Sequence, residues 1–196
     1  MLGIPLYLVL YGISTRFYPG GSEADPHAKG FSWIHNYWCN LLDRFAINGE
    51  ANEARPLAMV AMGLLCIALS LFFVCFPQGT AVNPWVKGTV RFGGVAAMAC
   101  GALMGVFDHD LMTNIASLFG VLAVGGTIFM LKRRNWNLLF RMGIAIIVLV
   151  GLNNLFYYTD NLRLYLPVVQ KLTFLWVLTW VWLVCRNAWL NEKEQG

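Results

Sequence analysis

Charged side chains are scarce in this sequence: they make up 12% of its 196 residues, against about 25% in an average soluble domain. Beside 58% hydrophobic residues, that shortage excludes a water-soluble fold of this size, which could not hide so much apolar surface. Histidine is rarer still, with three residues, His27, His35 and His109. The five cysteines, Cys39, Cys66, Cys75, Cys100 and Cys185, are scattered without a CxxC pair. A disulfide framework and a cysteine zinc site are thereby excluded, and no cofactor or metal is expected. Nucleophile elbow, phosphate loop and zinc-protease motifs are missing as well. No inverted repeat is visible, which argues against a secondary transporter. The net charge of +4 needs no nucleic-acid partner, because membrane proteins collect lysine and arginine in their cytoplasmic loops.

What the sequence does contain is long apolar runs. A helical span takes about 20 residues at about 1.5 Å each to cross about 30 Å of hydrocarbon. Residues 56–76, 88–107, 111–131, 136–157 and 164–190 meet that requirement. Pro77-Gln78-Gly79, Asn83-Pro84, Lys132-Arg133-Arg134-Asn135 and Thr159-Asp160-Asn161 punctuate them. Residues 1–17 form a shorter apolar run. It reads as a retained first span rather than a signal peptide, since no basic residue precedes it and no small-residue cleavage site ends it. The expected fold is an all-α polytopic transmembrane bundle of six spans (five if the first is cleaved), with residues 1–196 forming a single integral membrane domain.

Six spans place Lys87, Arg91, Lys132-Arg133-Arg134, Arg186 and Lys193 on one side. Glu23, Asp25, Asp43, Glu50, Glu53, Asp108, Asp110 and Asp160 fall on the other, leaving only Glu192 and Glu194 with the basic groups. The positive-inside bias makes the basic side cytoplasmic, with both termini, and the acidic side outer. A bacterial plasma (inner) membrane is the expected location. In the third span Gly93, Ala97, Gly101 and Gly105 form a small-residue stripe that lets helix backbones approach in lipid. Trp136, Trp189 and Tyr157-Tyr158 sit at boundaries where amphipathic rings favour the interface.

The outer segment, residues 18–55, is long for a simple connection and opens with turns at Tyr18-Pro19-Gly20-Gly21 and Asp25-Pro26. From Phe31 to Phe45 the pattern has helical period: Ile34, Trp38, Leu41, Leu42 and Phe45 share an apolar face, with Ser32 as N-cap. Asn36, Asn40 and Asp43 share a polar face. An extracytoplasmic amphipathic helix between spans one and two is therefore expected, lying in the interface or capping the bundle. His35 and Cys39 are four apart, but two ligands make no metal site.

Polar groups inside spans are candidate functional residues because lipid penalises them. Lys171 lies about 10 Å inside the last span, beside Gln170. It either snorkels to water or pairs with an outer carboxylate in a polar cavity. Asp110, Asn114 and Ser117 share a face of the fourth span, with Asp108 just before it. Asn153 and Asn154 end the fifth, and Arg55 opens the second. With His35, Asn36 and Asp43, these residues converge on the outer side and point to a ligand pocket under the amphipathic helix. His27 reads as a solvated loop residue.

Tyr18-Pro19-Gly20 after the first span, the polar loop that follows, and Phe107-Asp108 leading into a polar fourth helix carry a resemblance. The layout resembles the small six-helix membrane proteins of bacteria and archaea called domain of unknown function 998. The resemblance implies a six-helix bundle and no assigned activity. That family often has a histidine in its fourth helix near the place of Asn114, so histidine chemistry is not carried over. The membrane hydrolases that include alkaline ceramidases share Asp108-His109 with this chain only superficially, because they need several histidines on spans.

Three function classes follow. The favoured one is a protein that binds a lipid or small amphiphile in an outward polar pocket, or serves as an accessory subunit beside a membrane protein partner. In it Lys171 meets an anionic group, and Asn114, Asn153 and Gln170 orient the ligand. The alternatives are a membrane-embedded lipid hydrolase or transferase using Asp108 or Asp110 with His35 or His109, and a small transporter or channel.

Overall fold

The computed structural model describes residues 2–195; for His109, Asp110, Glu192, Glu194 and Gln195 it describes the backbone only. The chain is all-α: α1 Gly3–Ser14, α2 Arg55–Cys75, α3 Pro84–Leu103, α4 His109–Arg133, α5 Asn137–Tyr158, α6 Asp160–Arg163 and α7 Leu166–Gln195. Single-turn 3-10 helices occur at Thr15–Phe17, Trp38–Leu42 and Phe76–Gly79. Among the described residues there is no β-strand, only isolated bridges between Gly20 and Lys29 and between Phe45 and Ala51.

Four segments are long and apolar enough to cross a membrane: Arg55–Gly79, Leu111–Arg133, Asn137–Tyr158 and Leu166–Asn191. Large apolar side chains stand exposed along them, including Ile67, Leu71, Leu118, Val121, Val148 and Leu172. Water would penalise that surface, whereas lipid solvates it. Helix α1 is not among the four, since its 12 residues reach only about 18 Å. Helix α3 is 20 residues long, but Lys87, Arg91 and four glycines dilute its apolar character.

The helix ends follow local chemistry. Asn83 caps α3 by accepting from Trp85 N at 2.9 Å, with Pro84 in the first turn. Asp108 caps α4 through Leu111 N at 2.8 Å, so His109 and Asp110 form the first turn of that helix rather than a loop. Helix α4 stops because Asn135 turns left-handed at φ 58°. Trp136 N then donates back to Leu131 O and Asn135 N to Lys132 O, both at 3.1 Å, completing a Schellman cap.

The chain divides into two compact units. The first comprises Met1–Ile4, Gly63–Ala145 and Leu178–Gly196. Its core includes Phe72, Phe73, Val90, Ala97, Met130, Leu131 and Trp180. A Cβ on Gly93 would lie 2.9 Å from Phe119 O. That position, together with Ala97, bears out a close α3–α4 seam. By contrast a Cβ on Gly101 would make ordinary contact with Cys66 Sγ at 3.5 Å, so the lower stripe is not obligatory. The second unit comprises Pro5–Met62 and Ile146–Val177. Its core is aromatic: Tyr7, Tyr11, Trp38 and Phe174 form a chain of tilted rings with centroids 5.0–5.9 Å apart.

The continuous amphipathic helix expected over residues 31–45 does not form. Ser32 caps a single turn as anticipated, its Oγ accepting from His35 N at 3.2 Å and its carbonyl from Asn36 N at 2.9 Å. Tyr37 is then extended (ψ 154°), and only Trp38–Leu42 winds up again, as a 3-10 turn. Side-chain amides are the cause. Asn40 Oδ1 takes Tyr37 N–H at 2.7 Å, and Gln170 takes Trp38 N–H at 3.1 Å. Both donors are thereby lost to the helical ladder.

Candidate ligand-binding site

The connecting segment, residues 15–54, is a built element of the second unit rather than a slack loop, and asparagines organise it. Asn36 is fully buried. Its Oδ1 accepts from Ser32 N at 2.7 Å, and its Nδ2 donates to Gly21 O at 2.8 Å. Asn36 Nδ2 also reaches Asn40 Oδ1, and Asn40 Nδ2 reaches Asp43 Oδ2, both at 3.4 Å. The three residues expected to share a polar face thus meet, though not on a helix. Asn52 was not singled out by sequence reasoning. Its Nδ2 donates to both Asn40 O and Asp43 O at 2.9 Å, and its Oδ1 accepts from Ala54 N at 3.2 Å. Its place just before α2 was the available signal for such a cap. Arg55 Nε donates to Leu42 O at 3.1 Å, tying the start of α2 to the same segment.

Two neighbours on α7 grip this segment by its main chain. The Lys171 ammonium donates to Asn36 O and, at 3.0 Å, to Pro167 O. Phe31 places its ring centroid 5.8 Å from Lys171 Nζ, within reach of a cation–π attraction. Gln170 Oε1 accepts from Trp38 N, while Trp38 O accepts from Tyr11 OH at 2.9 Å. Lys171 is only 7% exposed, so it does not snorkel, and the acceptors found for it are carbonyls rather than a carboxylate. Carbonyl oxygens in place of water are what make a buried ammonium tolerable.

The other candidates are distributed as follows. Asn153 belongs to the second unit, where its Nδ2 donates to Leu149 O at 2.8 Å and Thr173 Oγ1 at 2.6 Å. Asn154 is exposed and donates to Val150 O. His35 Nδ1 is buried without a hydrogen-bond partner among the described residues. Asp108, Asn114 and Ser117 belong to the first unit: Asp108 caps α4, Asn114 is exposed, and Ser117 Oγ donates to Thr113 O at 2.7 Å. The side chain of Asp110 lies outside the described residues. Among the described residues, no group of three His, Cys, Asp or Glu side chains is placed to hold a metal.

The second unit carries a polar concavity of about 470 Å³ lined by Pro19, His27, Ala28, Lys29, Asn48 and Glu50. Its walls are pinned by the backbone. Gly21 N donates to Ala28 O at 2.7 Å, Gly30 N to Pro19 O at 3.1 Å, and Asn48 N to Gly20 O at 3.3 Å. Tyr18 OH accepts from Ile47 N at 3.1 Å.

Burial pushes the Cys39 thiol from the ordinary value near 9 up to about 12, with the Asp43 carboxylate adding to the effect; a hydrogen bond with Gln170 and the Lys171 charge oppose it. Burial also raises the Tyr18 and Tyr37 phenols. A raised acid keeps its proton in the fold and ionises first in the unfolded chain. Its contribution is complete below pH 9 and declines towards pH 12. Thermal stability is therefore expected to fall across that alkaline window, and Cys39→Ala to flatten part of the fall. An unchanged profile in the variant would remove Cys39 from the account.

No family model matches the chain, and neither curated proteins nor solved structures match it.

Proposed function

We propose that this chain is an integral membrane protein of six spans that holds a lipid or other small amphiphile through polar groups on its outer side. It does so alone or as an accessory subunit of a larger membrane complex. In this reading α1 and α3 join the four long apolar segments as spans. Both termini face the cytoplasm of a bacterial plasma membrane, in keeping with the basic residues Lys87, Lys132-Arg133-Arg134, Arg186 and Lys193. The six-helix layout agrees with the resemblance to the domain of unknown function 998 family.

The observation that carries the reading is the connecting segment. Asparagine bonds, the Lys171–Gln170 grip and an aromatic floor hold residues 15–54 in one conformation. A mere link between two spans needs no such construction, whereas a recognition surface needs its polar groups preorganised. Lys171 and Gln170 serve by holding residues 36–38, and the amphiphile meets the outer face of the segment.

Native mass spectrometry of the full chain, extracted in mild detergent, tests this. A stoichiometric adduct with the mass of a lipid or small amphiphile is expected. Protein that is folded and consistently free of adduct would overturn the proposal.

A further inference from the structure

The concavity beside Pro19 has a property that the asparagine network lacks. The ionisable side chains lining it, His27, Lys29 and Glu50, have no hydrogen-bond or ion-pair partner among the described residues. In the asparagine network Asn36 and Asn52 spend their amides on the backbone. Here an imidazole and an ammonium arise from one short stretch, residues 27–29, and a carboxamide and a carboxylate from another, residues 48–50. Both stretches are fastened to the same floor: Lys29 bridges to Gly20, and Asn48 N donates to Gly20 O. Glu50 N is itself held by Asn48 Oδ1 at 3.1 Å, and His27 N by Asp25 Oδ1 at 2.9 Å. The backbone under each charged group is therefore set, while its side chain is free to close on a ligand.

Opposite charges on two walls of one cavity select against simple ions. A plain anion would face the Glu50 carboxylate, and a plain cation the Lys29 ammonium. A zwitterion satisfies both, with its anionic end on His27 and Lys29 and its ammonium on Glu50 and the Asn48 carbonyl oxygen. An ammonium and an imidazole N–H donor against one carboxylate suit a phosphate, with its several acceptor oxygens, better than a carboxylate at the anionic end. We propose that this cavity binds a phosphoethanolamine-type zwitterion, a phosphate ester bearing a primary ammonium. Phe17, Trp33, Ile34 and Phe45 stand exposed in the same unit and favour a ligand with acyl chains, that is, a lipid headgroup. This inference rests on the membrane-binding reading above and names its ligand class.

The test uses the full chain in detergent and native mass spectrometry with dihexanoyl-phosphatidylethanolamine, dihexanoyl-phosphatidylglycerol and free phosphoethanolamine. Glu50→Gln and Lys29→Gln alter exposed side chains without bonds to other described residues, so both variants should fold, as thermal unfolding will verify. The wild type is expected to retain the ethanolamine lipid about fivefold over the glycerol lipid, with Glu50→Gln abolishing that preference. Lys29→Gln should weaken both lipids about fivefold. Competition by free phosphoethanolamine would assign the site to the soluble ester, and retention of the lipid alone to the headgroup. A lipid adduct indifferent to both substitutions would overturn this site while leaving the membrane-binding reading intact. No adduct with any of the three probes, and none carried from the membrane, would overturn both.

Discussion

Lys171→Met is expected to lower the stability of the protein by about 2 kcal/mol and to speed the labelling of Cys39 by maleimide. The substitution removes two charge-assisted hydrogen bonds and leaves Asn36 O without its donor. A charged hydrogen bond is worth about 1.5–3 kcal/mol, and an unpaired buried carbonyl costs about 1–3 kcal/mol. The burial cost of the ammonium disappears at the same time, which holds the net loss near the lower figures. For a chain of this length about 2 kcal/mol corresponds to a drop of roughly 4–8 °C in Tm. The local readout is more telling. Cys39 lies one residue beyond Trp38, which Gln170 holds, and its raised pKa keeps it a poorly reactive thiol at neutral pH. Cys39 is half-buried, and once residues 36–38 come away from α7 its thiol becomes more exposed. Unchanged maleimide labelling of Cys39 in the variant would show that Lys171 does not hold the segment.

Gly21→Ala is expected to cost more, about 3 kcal/mol. Gly21 sits at φ +82°, where a Cβ is strained, and that Cβ would lie 2.5 Å from Asn48 N and 2.8 Å from Ile47 Cβ. Asn48 N is backbone already committed to Gly20 O, so relief requires moving the stretch that carries Asn48 and Glu50. Gly49→Ala is the internal control. Gly49 has a similar φ of +87° but nothing within 4 Å of the added atom. It should lose only the dihedral penalty, about 1 kcal/mol. Thermal unfolding of the two variants separates strain from collision. Equal losses would mean that the close approach of residues 21 and 47–48 does not matter. The Gly21 variant should also retain less of the ethanolamine lipid, because it displaces one wall of the cavity.

These two sites differ in how far the sequence foretold them. Lys171 is conspicuous in a linear reading, because an ammonium among apolar residues is costly and demands a partner. The identity of that partner was hidden: Asn36 O is 135 residues away and belongs to the main chain, which every residue has. Main-chain carbonyls stand where charge alone suggests a carboxylate. The amphipathic pattern over residues 31–45 was real in its spacing, yet Asn36 and Asn40 bond to the backbone and divert it from a helix. Periodicity registers which side chains are apolar and is blind to polar side chains that compete for N–H groups. Asp110, Asn114 and Ser117 share a helix face as their spacing requires. A shared face says nothing about a shared site, and Asp108 and Ser117 turned out to be occupied within their own helix region.

The sequence by itself determined the all-α character, the four long apolar segments and several helix ends. Each depends on sums or contacts over a few neighbouring residues: hydropathy across about 20 positions, Asn83 and Asp108 beside the N–H groups they cap, Asn135 at its own left-handed turn. Only the tertiary structure decided what the polar groups do. Lys171 and Gln170 became a grip on residues 36–38, Asn52 a brace across the connecting segment, and His27, Lys29 and Glu50 a set of ionisable groups around one cavity with no side-chain partner among the described residues. Hydrogen bonds and charges act over a few ångströms between residues that the sequence separates by tens or hundreds of positions, so their pairing is fixed by the folded backbone and by nothing shorter.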